Sequence, residues 1–418
     1  MLNPIEKAKE WYICRYRSRP LPTLFLTLML ACVVLAFPIT LIWNEYIVCI
    51  LGKMGQHVFM DYFWSVCDSL NDPYTTMKVI YPPFLVAIYS IIGHISMPYV
   101  TQDTGDLYID MFNSQIPMMI FIILMGISIY LFLMVCRKAL SEMLEETETK
   151  LFLLVMLLSF PLLIALQNGN SIIYTITFLI LFLLGYRSEN KWIRYCSYVC
   201  IGIVAGMKLS PAVFALLILR ERRYKEFVLC GLIICVIAFA PIVFTDGTIA
   251  VMIENLFVMD REMGGSVNNI PKLFYFLAKD LNMPVLDTVG AIITEIVTLL
   301  TIIIMVIDTK MKHWKVITLA AMCIITGFGV GTPYLYMYVI VAILFFLREE
   351  KEATRENLFY LVLLALPIML LMMDLMIVKV WATLIIFMTL LILGIMDLYR
   401  ICKEPRHKES VDEEPSES

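Results

Sequence analysis

Apolar runs recur along this chain from about residue 22 to residue 398, and many approach the length needed to cross a bilayer. The first, "PTLFLTLMLACVVLAFPITLIW" (22–43), carries no charge. Within hydrocarbon a backbone must satisfy its own N–H and C=O groups, so only helices or a closed barrel can span it. Runs of about 20 residues exceed the roughly 10 that a spanning strand needs, which points to helices. Hydrophobic residues make up 61% of the 418 and charged residues 16%, with a mean hydropathy of +0.84. No water-soluble fold of this size requires so much apolar surface. The expected fold is an all-α polytopic membrane protein.

Twelve spans are expected, at 22–43, 114–136, 151–167, 170–186, 193–207, 209–219, 226–244, 285–307, 316–331, 333–347, 358–375 and 378–398. With the N-terminus inside, 25 of the 32 Lys and Arg fall in or beside the inner connections. That bias places both termini in the cytoplasm of a cell-membrane protein. It also predicts that "YPPFLVAIYSIIGHISMPYV" (81–100) is a re-entrant or interfacial outer segment, since a crossing there would put the basic loops outside. Pro82, Pro83 and Pro98 fit a segment that is not one regular helix. Residues 1–21 are then an inner terminus and 22–398 the integral membrane domain. Its long outer loops cover 44–113 and 245–284, and 399–418 reads as a disordered inner tail. The run after residue 21 is too long for a signal-peptide core, so a retained first span is expected.

No Walker motif or Gly-rich phosphate loop occurs, and the inner loops are brief, so chemistry is expected at the outer face. Eleven cysteines show no CxxC pair and no Cys/His cluster, so no metal site is expected. Cys49 and Cys67 are the two that face outward, which leaves a disulfide between them open. His57 and His94 have no partner at ligand spacing. Nothing in the charge pattern calls for nucleic acid. Glu295, costly in lipid, should face the bundle interior.

Polar residues gather at the outer ends of the expected spans. "FMDYFWSVCDSLNDPYTT" (59–76) holds Asp61, Asp68 and Asp72 among aromatics. "LIALQNGNSIIYT" (164–176) sets Gln167, Asn168, Gly169 and Asn170 at a hairpin. "GMKLSP" (206–211) breaks a second hairpin, and "GVGTPYLYMY" (329–338) caps a third. Turns need Gly, Asn, Ser and Pro, so each also reads as a plain hairpin; together they reach one membrane level and could line one cavity. "TQDTGDLYID" (101–110) reads as a solvated loop, with Asp103, Asp106 and Asp110 open to a cation. Lys208 stands between two short apolar arms, where an ammonium either snorkels to the interface or meets an anion. A lipid-linked phosphate is the anion most available at that depth.

The ordered set of Asp61, Tyr74, "YPPF", "QNGN" and "GMKLSP" resembles the C-type superfamily of membrane glycosyltransferases. It is most similar to glycosyltransferase family 87, the polyprenyl-phosphate-mannose-dependent mannosyltransferases. The resemblance implies transfer of a hexose, most often mannose, from a polyprenyl-phosphate sugar to a glycolipid or polysaccharide acceptor outside the membrane. The sugar lipid is then a donor substrate and no cofactor is implied; membrane lipids are the other partners. The family's first-loop aspartate matches Asp61, as the general base, with Asp68 and Asp72 as rivals. Its YPP element matches Tyr81, Pro82 and Pro83. Its polar hairpin matches Gln167, Gly169 and Asn170, with Asn168 beside them, as contacts to sugar hydroxyls or acceptor. Lys208 and Pro211 match its Lys-x-x-Pro element, where the lysine meets the donor phosphate. Tyr74 and Tyr334, with Thr332 and Pro333, complete the implied substrate-binding set. The small-Gly-Gln-x-Asn form of relatives appears here as Gln-Asn-Gly-Asn.

A transporter or flippase of lipid-linked sugars would also want a broken helix and an anion site. Against it, the polar clusters collect on one side. A cysteine introduced into the Asp61 loop is expected to react with a membrane-impermeant maleimide added to intact cells. Labelling there only after permeabilisation would reverse the topology.

Overall fold

The computed structural model describes residues 4–42, 58–101, 103–245, 247–262, 269–327, 332–370 and 376–403. These are helical throughout, with short 3-10 turns and no strand among them. Helices α1 (Pro4–Ser18) and α2 (Pro20–Ile42) come first. Three short helices follow: α3 (Met60–Asp68), α4 (Pro83–Ser96) and α5 (Leu107–Asn113). The long α6 (Gln115–Leu140) leads to α7 (Glu146–Leu157), α8 (Phe160–Asn168), α9 (Ile172–Gly185), α10 (Lys191–Met207) and α11 (Leu216–Arg220). Then come α12 (Tyr224–Phe239), α13 (Ile249–Glu262), α14 (Ile270–Asp280) and α15 (Val285–Ile307). The chain closes with α16 (His313–Gly327), α17 (Met337–Glu349), α18 (Arg355–Ala365) and α19 (Met376–Lys403).

Four helical segments are long and apolar enough to cross a membrane: Gln115–Leu140, Tyr224–Phe244, Val285–Ile307 and Ile377–Lys403. The pair α7 and α8, bent by 51°, makes a fifth if taken as one span. Pro20–Ala36, Ile172–Gly185, Ser210–Arg220 and His313–Gly327 are apolar but shorter, so twelve crossings are not reached on length and composition. At 14 residues α4 extends about 21 Å, short of the roughly 30 Å hydrocarbon core.

The centre of the bundle is α16 and α17, apolar and buried on almost every side. Around them α6, α12 and α15 turn broad apolar faces outward, such as Val228, Leu232 and Val236 on α12. Such faces suit contact with lipid. Glu295 corrects the expectation from sequence. It is exposed on α15, beside Ile292 and Ile296, because Gly290, Thr301, Ile304 and Met305 form the face packed inward. At the C-terminal end the first residues of the tail expected to be disordered are helical. Residues 4–18 form α1, and α19 continues to Lys403; the rest of the expected tail lies outside the described residues.

Connections that the charge bias assigns to one side meet one another. Arg15 of α1 pairs with Glu145, and with buried Glu148 at 3.8 Å; Arg348 pairs with Glu142 at 2.5 Å. Arg187 pairs with Glu221, while the Tyr186 hydroxyl lies 2.6 Å from His313 Nε2. Helices α9, α10 and α16 each have one end in this network. Their other ends, near Ile172, Lys208 and Thr332, carry the polar turns.

Gly169, with φ 67°, ends α8 in the left-handed region. A Cβ there would lie 3.0 Å from both the Phe121 ring and Tyr62 Cβ. Gly169→Ala is expected to cost about 1–3 kcal/mol, from backbone strain plus crowding. Gly105→Ala, at φ 76° with open space around it, should cost less. Thermal unfolding in detergent checks the order.

Candidate active site

Asp61 lies in the first turn of α3, just after Phe59, which is left-handed at φ 58°. The Phe59 N–H donates to the Gln167 carbonyl at 2.7 Å, tying the entry of α3 to the last turn of α8. Beyond Gly169, Asn170 is 1% exposed. Its Oδ1 accepts from the Ile172 N–H at 2.9 Å, an Asx-type turn that starts α9. Only an oxygen can accept that bond, so the amide nitrogen points the other way. It donates to Asp61 Oδ2 at 2.7 Å.

Lys208 ends α10 in an extended conformation (φ −146°, ψ 126°), with a 3-10 turn, Ser210–Ala215, following. Pro211 lacks the N–H that would continue the helix. In the preceding turn, a Cβ on Gly206 would come within 2.8 Å of the Phe84 ring, so glycine admits α4 close to Lys208. Lys208 Nζ sits 5.5 Å from the Tyr81 ring centroid and 5.2 Å from that of Tyr334. Aromatic faces attract a cation at such distances. Nζ makes no ion pair within 4.0 Å among the described residues, yet it and Asp61 act on each other electrostatically. Both side chains are partly exposed. They lie near enough to act on each other and beyond ion-pair distance. Lys379, the other lysine among the late apolar segments, is occupied: Nζ donates to the Met369 carbonyl at 3.2 Å and lies 3.1 Å from the Phe160 ring centroid.

Burial pushes the Asp61 carboxyl above the usual carboxylate range, against the Asn170 hydrogen bond and the Lys208 charge, which favour ionisation. A carboxyl made more basic by burial suits general-base work. An ammonium with no ion-pair partner among the described residues suits an anion.

The sequence candidates thus divide. Asp61, Asn170, Lys208, Tyr81 and Tyr334 form one cluster drawn from three turns and the first loop. Tyr334, 7% exposed in the 3-10 turn Pro333–Tyr336, interacts with Asp61, Asn170 and Thr332. Gln167 joins through its carbonyl, and Asn168 is the partly exposed last residue of α8. Tyr74 is fully buried and reaches the cluster only by donating from its hydroxyl to the Tyr81 carbonyl at 3.0 Å. Asp68, seven residues beyond Asp61, sits about 10 Å further along α3. Burial pushes its carboxyl up to about 6. Asp72 is a turn residue: at φ 38° it accepts from Thr75 and Thr76, which hold its carboxyl below the usual range. Asp110 is turned onto its own loop, accepting from the Thr104 N–H at 3.0 Å, and Asp106 caps α5. No cluster of metal-binding side chains occurs among the described residues. Cys67 is a free thiol; Cys49 and His57 lie outside the described residues.

Two supports are not visible in the sequence. Asn255 of α13 donates to the carbonyls of Tyr74 at 2.8 Å and Val79 at 3.4 Å. Tyr89 of α4 packs edge-on against Tyr62 and interacts with Asp61. A lone amide in an apolar helix carries no signal, and the Asn255 contacts join residues more than 170 apart.

In this helical membrane protein a carboxylate and a lysine from distant parts of the chain thus lie near each other. The family model of glycosyltransferase family 87 matches residues 80–307, more than half of the chain, and the protein belongs to that family. No curated protein and no solved structure matches it. The matched stretch includes Tyr81, Asn170 and Lys208; Asp61 and Tyr334 lie outside it and join the site through the fold.

Because Tyr74 is buried behind Tyr81, Tyr74→Phe is expected to lower stability by about 1 kcal/mol, from one lost hydrogen bond. Glycosyl transfer should fall far less than in Asp61→Asn. Chemical denaturation and a transfer assay on the same membranes check both halves.

Proposed function

We propose that the protein transfers a hexose, mannose in the first instance, from a polyprenyl-phosphate sugar to a glycolipid or polysaccharide acceptor at the outer face of the cell membrane. What carries this reading is Lys208, an ammonium without an ion-pair partner among the described residues, flanked by the Tyr81 and Tyr334 rings and near Asp61. In this reading the acceptor hydroxyl attacks the anomeric carbon and gives its proton to Asp61. The bond from that carbon to the phosphate oxygen breaks, its electron pair leaves with the lipid phosphate, and the anomeric centre inverts. Charge grows on the departing phosphate, so a fixed cation beside it lowers the barrier. Gln167 and Asn168, at the end of α8, meet sugar or acceptor hydroxyls in this reading. The short helices complete about twelve crossings by pairing end to end, with α4 re-entrant or interfacial on the outer side and both termini cytoplasmic.

The test uses membranes of a host overproducing the chain, given labelled polyprenyl-phosphate-mannose and then the glucose and pentose analogues. Wild type should move label into a new product with one of them. Asp61→Asn should lose about 10²–10⁴-fold, the usual worth of a positioned base. Lys208→Gln should lose about 10²–10³-fold, the scale for removing one group that stabilises developing charge. Donor binding that needs Lys208, with no transfer by any form even when native acceptor lipids are supplied, would overturn the reading in favour of carriage of the sugar lipid across the membrane.

A further inference from the structure

The residues of the polar hairpin are expected from sequence to touch sugar, yet Asn170 is 1% exposed and both ends of its amide are engaged. Its oxygen is held by the Ile172 N–H and its nitrogen by Asp61 Oδ2, at 2.9 and 2.7 Å. We infer that Asn170 is a positioning residue: it fixes the rotation of the Asp61 carboxylate and leaves the other oxygen, Oδ1, to accept the proton of the incoming hydroxyl. This rests on Asp61 being the base of the transfer reaction. The geometry itself does not depend on which sugar is moved.

The arrangement does two things for a base. A carboxylate free to rotate would present either oxygen at changing angles, whereas one oxygen pinned by a rigid donor defines where the other points. A hydrogen bond to the charged form also keeps a buried carboxylate ionised near neutral pH. The groups facing Asp61 from neighbouring elements are Lys208 at the end of α10, Tyr81 and Tyr89 before and within α4, and Tyr334 before α17. Lys208 favours the carboxylate. The tyrosines, neutral in this range, contribute no charge of their own. Removing the Asn170 donor should therefore move the acidity of Asp61 upward.

Two substitutions separate positioning from folding. Asn170→Ser keeps a side-chain oxygen for the Ile172 N–H, and hence the turn, but cannot reach Asp61; Asn170→Ala removes both bonds. The first readout is modification of Asp61 by an apolar carbodiimide, which attacks the protonated carboxyl, followed by mass spectrometry over a range of pH with Asp61→Asn as the blank. The expected result is a midpoint raised by about one pH unit in Asn170→Ser, the scale of one hydrogen bond to the ionised form. An unchanged or lowered midpoint in Asn170→Ser overturns the inference. The second readout is the transfer rate, whose acidic limb should move up with the midpoint while KM for the donor stays near wild type. If Asp61→Asn still transfers sugar, the base assignment fails, whatever the carbodiimide midpoint shows. If Asp61→Asn is inactive and the Asn170→Ser midpoint is unmoved, the positioning role alone fails.

Discussion

The site depends on a positive charge that none of the described residues pairs with. A partly buried ammonium gives up some of its hydration, and two tyrosine faces return about 0.5–2 kcal/mol of that loss. Lys208 receives those faces from Tyr81 and Tyr334 and, among the described residues, no carboxylate within ion-pair distance. Asp61 is near enough to be felt and too far to pair. Had the two paired, the ammonium would be quenched and the carboxylate occupied by a cation. Their separation leaves a carboxyl and an ammonium near each other and unpaired with each other, as the proposed roles of base and anion site require.

That separation is a property of the fold. Asp61 is carried by α3, Lys208 by the broken end of α10, Asn170 by the α8–α9 turn and Tyr334 by the turn before α17. These turns share a level because α9, α10 and α16 have their opposite ends in one network of ion pairs. Single exposed pairs of this kind contribute little stability. Several that join neighbouring helices near one end of the bundle restrict axial sliding, and so set how the far ends meet. The buried faces of α16 and α17 give the remaining rigidity, since close-packed interiors shift little.

Much of this is legible in the amino-acid sequence. Apolar runs without charge announce membrane helices, and the helix-breaking chemistry of QNGN and GMKLSP marks turns that the fold gathers around one space. Lys208 is visible because a lysine between apolar arms has few places to go. Other features stay hidden for physical reasons. Hydropathy cannot tell a short helix that crosses from one that stops, so the count of twelve outruns the four or five segments of crossing length. An amide in a turn gives no sign of its burial, so Asn170 reads as a sugar contact although its side chain is enclosed. Tyr74 reads as lining because it precedes YPPF, but it sits behind Tyr81. Glu295 reads as inward because charge in lipid is costly, while the small and apolar residues of α15 claim the inward face.

The boundary of the family match adds a last constraint. It begins at residue 80, so the lysine and the asparagine lie within it and the aspartate does not. A base must be held within fractions of an ångström to be useful, and α3 is anchored on both sides by elements inside the match. Upstream, the Phe59 N–H is bonded to the Gln167 carbonyl. Downstream, Tyr74 is clamped by Asn255 and packed with Val79, Val86 and Met252, and its hydroxyl bonds the backbone of Tyr81. The same Tyr81 presents its ring to Lys208. The first loop therefore places Asp61, the proposed base, and helps to place the tyrosine that faces Lys208, which couples the two through one short stretch, residues 59 to 81.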